Sequence, residues 1–318
     1  MNKPSVSVIV PVYKVESLIG RCCRSLFAQT LENLEFIFVD DCTPDRSIEV
    51  MRSVLEEYPQ RRDQVKVIRM DRNSGQAAVR KRGLEEATGE YVIHCDSDDW
   101  ADIGMYEKLY SRAVRDGADV VVCDMYRSNG TVHTPFRSGF RSEGSYARDV
   151  VAKRVFPALW NKLVKRDLYS WPFFEHPDND LGEDYAIMAQ IAVICEKVSY
   201  VREKLYYYYT NPASITKDID RSNIVARYRS SFSNILHVEV VFCMADIMKD
   251  YYLCVEAAKI SDRFYILRKY VKDPEIMDVW KNMFHLMHPV SNLFNEEAQL
   301  KARVMSLLVE MHIYQLFI

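Results

Sequence analysis

The sequence predicts an α/β protein with a doubly wound, mostly parallel sheet. Short apolar runs rich in β-branched residues alternate with amphipathic stretches, as parallel strands joined by crossover helices require. The chain has 318 residues, of which 48% are hydrophobic, so it is long enough to bury a core. We expect a larger domain at residues 1–219 and a helical C-terminal region at residues 220–318.

Five strands and three helices are predicted in the first part of the chain. Apolar residues at three- and four-residue spacing between Leu18 and Phe27 indicate one helix. A second is expected after Thr43, with Pro44 in its first turn, and a third from Gln76 to Ala87, ending in a left-handed cap at Gly89. The predicted strands are Val6 to Val10, Glu35 to Val39, Val65 to Ile68, Tyr91 to Cys95 and Val120 to Cys123.

The later part of the chain has a different pattern. Residues 130–146 are polar and rich in Gly and Ser, which predicts a loop beside the site. Beyond Asp220, Leu, Met and aromatic residues recur with helical periodicity, interrupted at Pro274 and Pro289. We expect a helical appendage that mainly forms its own core. A homo-oligomer contact, another partner surface and a peripheral membrane contact are the alternatives for these helices.

Composition excludes several classes of protein. The formal net charge is -3, with acidic and basic residues interspersed, so the sequence has no electrostatic footprint for nucleic acid. No apolar run approaches the about 18 residues that a membrane span needs. The eight cysteines form no CxxC pair, as expected of thiols in a reducing compartment. The expected location is the cytoplasm, and a peripheral position at the inner face of the membrane is the alternative.

The strongest local signal is an acidic turn directly behind the predicted strand YVIHC. It contains Asp96, Asp98 and Asp99. Such crowding of carboxylates at a strand end is costly unless a cation neutralises it. Mg²⁺ and Mn²⁺ prefer oxygen ligands and are commonly shared between one or two carboxylates and substrate phosphates. For an isolated DxD the more frequent alternative is a solvated acidic turn that caps the next helix.

Two further polar positions follow predicted strands. Asp41, in the pair Asp40-Asp41, could accept the imide N–H of a uracil, which cytosine lacks. The alternative for this pair is a helix cap or a loop anchor. Tyr13, behind the first strand, could pack its ring on a nucleobase or against the edge of the protein itself. Ligands of such sheets bind at the carboxyl ends of the strands, where all these residues lie.

Four segments together resemble glycosyltransferase family 2, the inverting enzymes of the GT-A fold. They are SVIVPVYKVESLIGRCCRSLFAQT, EFIFVDDCTPDRS, NSGQAAVRKRGLEEATGEYVIHCDSDD and LWNKLVKRDLY. Their order matches the family, and the resemblance covers roughly residues 4–216. It implies an enzyme that transfers a sugar from a nucleotide-sugar donor, with Mn²⁺ or Mg²⁺ at the DxD motif.

The resemblance also implies roles for individual residues. Asp98 would be the principal metal ligand, and Asp96 would reach the ribose or, through water, the metal. Asp41 would hold the base. The family pattern usually continues Ala-Arg-Asn where this chain has Val79-Arg80-Lys81, which weakens the assignment of contacts from that helix. The residues that the resemblance assigns to the donor are Pro11, Tyr13, Glu16, Asp41, Asn73, Gly75, Gln76, Arg80, Asp96 and Ser97.

A third acidic pair, Glu183-Asp184, opens an apolar helical stretch. In the family such a pair supplies the catalytic base, which the resemblance assigns to Asp184, with Glu183 beside the acceptor. The alternative is that acidic residues at a helix N-terminus simply favour the helix dipole. Trp160 and Lys162 could contact sugar and phosphate, or Trp160 could be a core residue. Ser214 and Thr216 could close over the donor.

Three competing functions are weaker. Gly139 to Gly144 has the spacing of a phosphate-binding loop, but Ser145 replaces the required Lys. The segment PVYKVES lacks the Gly-rich basic loop of a nucleotidyltransferase. His285 and His288 have no third metal ligand nearby. The sequence favours transfer from a UDP-sugar to a glycan or lipid-linked acceptor in surface polysaccharide synthesis, and a non-catalytic sugar-nucleotide binding or scaffolding subunit is the alternative.

Overall fold

The protein divides into two compact units. A computed structural model describes residues 3–210, 221–270, 273, 295–298, 300 and 302–304. The first unit contains residues 1–143, 158–178 and 194–217, and the second contains residues 144–157, 179–193 and 218–318. Two earlier segments thus join the C-terminal residues in the second unit. A domain boundary at residue 219 stays a prediction.

The first unit is built on one sheet. Among the described residues its strands are β1 (Val6–Val12), β2 (Leu34–Asp40), β3 (Val65–Arg69), β4 (Tyr91–His94), β5 (Trp100–Ala101), β6 (Val120–Ser128), β7 (His133–Phe136), β8 (Lys162–Lys165) and β9 (Val198–Tyr209). The strand order is β3-β2-β1-β4-β8-β6-β9-β5, with β7 paired to β6. The pairs joining β3, β2, β1 and β4 are parallel, as is the pair β6–β9, whereas β8 pairs antiparallel with both β4 and β6. The predicted α/β class is therefore confirmed.

Four helices of the first unit are α1 (Ile19–Phe27), α2 (Ser47–Glu56), α3 (Gln76–Glu86) and α4 (Met105–Asp116). Two predicted details are wrong. Pro44 precedes α2 instead of lying in its first turn. Helix α3 ends at an extended Ala87, and Gly89 has no left-handed cap. Gly89 is needed for close approach instead, because a Cβ there would lie 2.7 Å from the main-chain nitrogen of Ser7.

Helix α3 packs closely on the parallel strands, and this contact fixes the helix that carries Arg80. Val79 of α3 is buried in a cluster with Ile9, Ile37, Val39 and Val92 from the strands beneath it. At Gly83 the helix lies so near the sheet that an added Cβ would be 2.4 Å from a side-chain carbon of Ile9. The sequence permits this approach only because residue 83 has no side chain.

The region expected to be a loop, residues 130–146, contains strand β7 and a short 3-10 turn. The second unit is helical, as predicted for the residues beyond 220. Its helices are α5 (Tyr146–Val151), α6 (Glu183–Ile194), α7 (Arg221–Met244) and α8 (Met248–Tyr270), and the last residue of α6 belongs to the first unit. No helix in the described ranges is long and apolar enough to cross a membrane.

Candidate active site at the strand ends

Three neighbouring parallel strands end at one edge of the sheet, and the predicted donor residues follow them. Strand β1 lies between β2 and β4, with Val12 opposite Asp40 and Ile9 opposite His94. Parallel strands place their carboxyl ends together. Tyr13, Asp41 and the acidic turn after β4 therefore share one edge of the first unit.

Asp41 fixes the loop that leads into α3. Its Oδ1 accepts the main-chain N–H of Ser74 at 2.7 Å, and its Oδ2 accepts that of Gly75 at 3.0 Å. Gly75 has φ 87°, a left-handed value that favours glycine, and it directly precedes the helix. The buried carboxyl of Asp41 is thus a loop anchor, which was one of the two interpretations of its position. Its contact with the base stays a prediction.

Arg80 joins α3 to the acidic turn. Its Nη2 lies 2.7 Å from Asp96 Oδ1, and its side chain is only 1% exposed while that of Asp96 is 22% exposed. The guanidinium also affects the strand behind the turn, because burial and the charge of Arg80 hold the pKa of His94 well below its usual range. Residues 41, 74, 75, 80 and 96 therefore form one bonded path between the ends of β2 and β4.

The acidic turn carries carboxylates whose charge is poorly compensated. Burial, followed by repulsion from Asp96, raises the pKa of Asp98 to about 6. Burial, with repulsion from Asp98 and Asp96, raises the pKa of Asp99 well above its usual range. Asp99 Oδ1 accepts the main-chain N–H of Tyr209 at 2.6 Å, and Ser97 is buried between its acidic neighbours. A cation bound here would offset this repulsion.

The sequence did not predict the residues that support this turn. Arg21 of α1 donates from Nη2 to the carbonyl oxygen of Asp98 at 3.0 Å. Its guanidinium lies over the rings of Trp100, at 3.7 Å from the centroid, and Tyr209, at 4.6 Å. The main-chain N–H of Asp96 donates to the hydroxyl of Tyr206. No sequence signal assigned this supporting role to Arg21 or to Tyr206.

The segment after β1 is joined to the loop after β2. The main-chain N–H of Lys14 donates to Thr43 Oγ1 at 2.8 Å, and that of Glu16 donates to Asp45 Oδ2 at 3.0 Å. These bonds hold Tyr13, which is half-buried, next to the end of the strand. Pro11 and Gln76 are half-buried, and Glu16 and Asn73 are exposed. Their contacts with a nucleotide stay predictions.

The structure does not support the contacts suggested for Trp160 and Lys162. Trp160 is 2% exposed, and its ring stacks on Tyr206 with 4.2 Å between centroids. Lys162 is fully buried, and its Nζ donates to the carbonyl oxygen of Ala158 and to Asn161 Oδ1. Both side chains are packed in the first unit instead of facing a sugar or a phosphate. Lys162 is the first residue of strand β8, and Trp160 lies in the turn before it.

Glu183 and Asp184 are the first two residues of α6, in the second unit. Glu183 is buried and Asp184 is half-buried. The first intrahelical bond runs from Ala186 N–H to the carbonyl oxygen of Gly182. Both acidic residues therefore occupy the first turn, as predicted. Ser214, Thr216, His285 and His288 lie outside the described residues.

The carboxylates do not form a complete metal site. Within the described residues, no group of three or more His, Cys, Asp or Glu side chains is arranged to hold a metal ion by itself. One or two carboxylates can still share a Mg²⁺ or Mn²⁺ with the phosphates of a substrate. The acidic turn fits that arrangement, because its buried carboxyls repel one another.

The profile of Glycosyl transferase family 2 matches residues 7–188, more than half of the chain. The chain belongs to glycosyltransferase family 2. The uncharacterized glycosyltransferase EpsJ of Bacillus subtilis is 30% identical over 224 residues, which are 67% of this chain and 63% of EpsJ. The matched region thus spans less than two thirds of that family 2 relative.

Solved structures share the fold. The structure of Staphylococcus aureus TarS 1–349 in complex with UDP-GlcNAc has a TM-score of 0.70 at 17% identity, and the match covers 98% of this chain and 88% of TarS. The mannosyltransferase PcManGT from Pyrobaculum calidifontis, in complex with GDP-Man and Mn²⁺, has a TM-score of 0.54 at 16% identity, over 98% of this chain and 88% of PcManGT. The predicted GT-A fold is confirmed for this family 2 chain.

Proposed function

We propose that this chain is an inverting glycosyltransferase that uses a divalent cation to transfer a sugar from a UDP-sugar to a glycan or lipid-linked acceptor. The observation that carries the proposal is the bonded path from Asp41 through α3 to Asp96, at the ends of adjacent parallel strands in a family 2 chain. This is the edge at which such sheets bind nucleotides.

The donor would lie along this path. Tyr13 and Asp41 would contact the nucleoside, with Pro11 and Glu16 beside it, and the loop at Asn73 and Gly75 would lie next along the donor. Each oxygen of Asp41 accepts one main-chain bond, which leaves lone pairs for the imide N–H of uracil. TarS binds UDP-GlcNAc, whereas PcManGT binds GDP-Man, so the base is the first property to test.

The cation would be held by Asp98. Asp96 would bind the cation directly or through a water molecule, or it would contact the ribose instead. Arg80 already pairs with one oxygen of Asp96, which supports Asp98 as the principal ligand. A bound Mn²⁺ or Mg²⁺ would supply positive charge that stabilises the departing diphosphate. Arg21 would keep the main chain of Asp98 in position while the donor binds.

Transfer needs a base at the acceptor. The acceptor oxygen would attack the anomeric carbon as the bond from that carbon to the diphosphate breaks, and the carboxylate of Asp184 would take the acceptor's proton. Attack opposite the leaving group inverts the configuration. Glu183 would lie beside the acceptor. Two further points belong to the same proposal. They are which sugar is transferred and whether the C-terminal helices contact a membrane or a second copy of the chain.

The test is a panel of UDP-glucose, UDP-galactose, UDP-GlcNAc, UDP-GalNAc and GDP-mannose, each with MnCl₂ or with EDTA. We expect one or more UDP-sugars to raise the melting temperature only with the metal, because a ligand that binds the native state stabilises it. UDP release with water as acceptor then measures catalysis.

Two variants separate binding from catalysis. Asp98→Asn is expected to remove the metal-dependent stabilisation by the donor. Asp184→Asn is expected to keep that stabilisation and to lower UDP release by about 100-fold or more. Stabilisation by GDP-mannose alone would contradict the UDP assignment. Donor binding without UDP release by the wild type would favour the non-catalytic binding subunit.

A further inference from the structure

The loop that precedes Asp184 is held by a helix outside the segment that matches the family. Residues 179–182 lead into α6, and the match ends at residue 188. Asn234 of α7 donates from Nδ2 to the carbonyl oxygen of Asn179 at 3.0 Å and to that of Leu181 at 2.9 Å. The main-chain N–H of Leu181 donates to Ser230 Oγ at 3.3 Å. Two side chains one helical turn apart thus bind the main chain of this loop.

Asn234 is fully buried, and its orientation is determined by its partners. Only the NH₂ group of an amide can donate to two carbonyl oxygens, so Nδ2 must face the loop. Its Oδ1 is buried without a hydrogen-bond partner among the described residues. A buried amide that leaves its own acceptor unsatisfied destabilises the folded state. The two bonds to the loop offset this cost, so an apolar residue could not replace Asn234 without releasing the loop.

The chain on both sides of Asp184 is fixed within the second unit. Gly182, at φ 89°, turns the chain into α6. Its Cα carries no side chain, and a Cβ there would lie 3.5 Å from Ser231. On the other side, the buried Tyr185 donates its hydroxyl hydrogen to the carbonyl oxygen of Val151 at 3.0 Å. Asp184 therefore lies between the loop bound by α7 and an anchored tyrosine.

Helix α7 also makes contacts with the rest of the second unit. Ser231 donates to Asp262 Oδ2 at 2.6 Å, and Lys153 pairs with Asp262 Oδ1 at 2.7 Å. The Nζ of Lys153 lies 4.5 Å from the centroid of the Tyr185 ring. Helix α7 cannot shift without disturbing these contacts. The polar face of α7 at residues 230, 231 and 234 is thus a rigid support for the start of α6.

We propose that Asn234, assisted by Ser230, is a positioning residue that holds Asp184 in place for proton transfer. The inference rests on the proposed role of Asp184 and gives the C-terminal helices a part in catalysis. A base must lie within hydrogen-bond reach of the proton that it takes. Displacement of a reacting group by about 1 Å can lower a rate by about 100-fold.

The test compares Asn234→Asp with the wild type. The replacement keeps the size of the side chain but turns an oxygen toward two carbonyl oxygens, so the loop should be released. We expect kcat for UDP release, with the best UDP-sugar of the panel and Mn²⁺, to fall about 10- to 100-fold. KM for the donor should stay within about threefold of the wild type. Ser230→Ala, which removes one bond, should lower kcat by a smaller factor.

Two controls make the result decisive. Ser233→Ala changes the preceding residue of α7, whose hydroxyl has no partner in the described part of the chain, and it should keep the wild-type kcat. All assays are run well below the melting temperature of each variant, so that a purely structural role would leave kcat per folded molecule unchanged. If Asn234→Asp fails to fold, Ser230→Ala carries the same test.

The outcomes also separate this inference from the proposed function. If Asp184→Asn loses UDP release while folded Asn234→Asp and Ser230→Ala keep the wild-type kcat, the positioning role is wrong and the base assignment stands. If Asp184→Asn keeps wild-type activity, Asp184 is not the base, whatever the α7 variants do. A loss of donor affinity in Asn234→Asp equal to its loss of kcat would also contradict the inference.

Discussion

The acidic turn of the first unit and the start of α6 in the second unit both carry predicted active-site carboxylates, but different contacts fix them. Asp41 and Asp96 are bound by residues of α3 and of the loop before it. These partners are separated from the two aspartates by between 16 and 34 positions in the sequence. The loop before Asp184 is bound by Asn234, which lies 53 and 55 positions beyond its two acceptors.

This difference explains what the sequence could reveal. The first arrangement follows from the order of strands and helices, since every crossover returns the chain to the same edge of the sheet. The second depends on which face of a later helix meets the loop, and hydrophobic periodicity does not specify that. If the contrast is correct, changes on α3 should affect donor binding, and changes on α7 should affect turnover.

The largest effect in the first unit is expected from Arg80→Ala. The change removes the buried guanidinium that pairs with Asp96, so that Asp96 remains beside Asp98 without this positive charge. It also removes a large buried side chain. We expect a loss of about 3 kcal/mol in the free energy of unfolding, at the low end for buried ion pairs because Asp96 is partly exposed. Affinity for UDP with Mn²⁺ should also fall. Urea unfolding and calorimetric titration measure the two effects.

Arg82→Ala on the same helix is the matched control. Arg82 is 40% exposed and pairs with Glu85 and Glu86 at the surface. Exposed pairs of this kind contribute little, so we expect a change within about 0.5 kcal/mol and an unchanged affinity for UDP. Equal effects of the two variants would show that the buried pair does not organise the first unit's site, and the contrast with α7 would fail.

Much of the first unit was predictable, and the failures have physical causes. All five predicted strands exist, because strands of a buried, mostly parallel sheet stand out in the sequence as short, nearly continuous apolar runs. Asp41, Arg80 and Asp96 are brought together because they follow strand ends or lie on the connecting helix. Trp160 is the core residue that was its alternative interpretation. The burial of Lys162 could not be foreseen, because a lysine is rarely buried without partners such as Asn161. Arg21 could not be found, since its role arises from the stacking of Trp100 and Tyr209 around it.

Helix α3 must also stay close to the sheet if the first unit's site is to form. Gly83→Ala would place a Cβ against Ile9 in the core, and the helix or the strand must move. Overpacking of this kind typically costs about 1–3 kcal/mol, and we expect about 2 kcal/mol with weaker binding of UDP. Thermal and urea unfolding measure the loss.

Gly20→Ala tests whether the loss comes from the close approach or from the helix itself. Gly20 lies in α1, and the nearest atoms to a Cβ there are at 3.5 Å or more. Alanine favours a helix over glycine, so this variant should be neutral or more stable by up to about 1 kcal/mol. A loss of stability in both variants would mean that the close approach of α3 to the sheet is not the cause. The path through Arg80 would then not depend on that close approach.

The smallest expected effect is on the pH dependence of stability. Burial, opposed by the bond to the Pro177 carbonyl and aided by Lys81, lowers the pKa of His176 from 6.5 to about 4. The unfolded chain therefore binds more protons than the folded one between about pH 6.5 and 4, and stability falls as the pH falls through this window. His176→Gln should remove about 1–2 kcal/mol of that fall in urea unfolding. If stability falls by the same amount between about pH 6.5 and 4 in His176→Gln as in the wild type, the assignment to His176 is refuted.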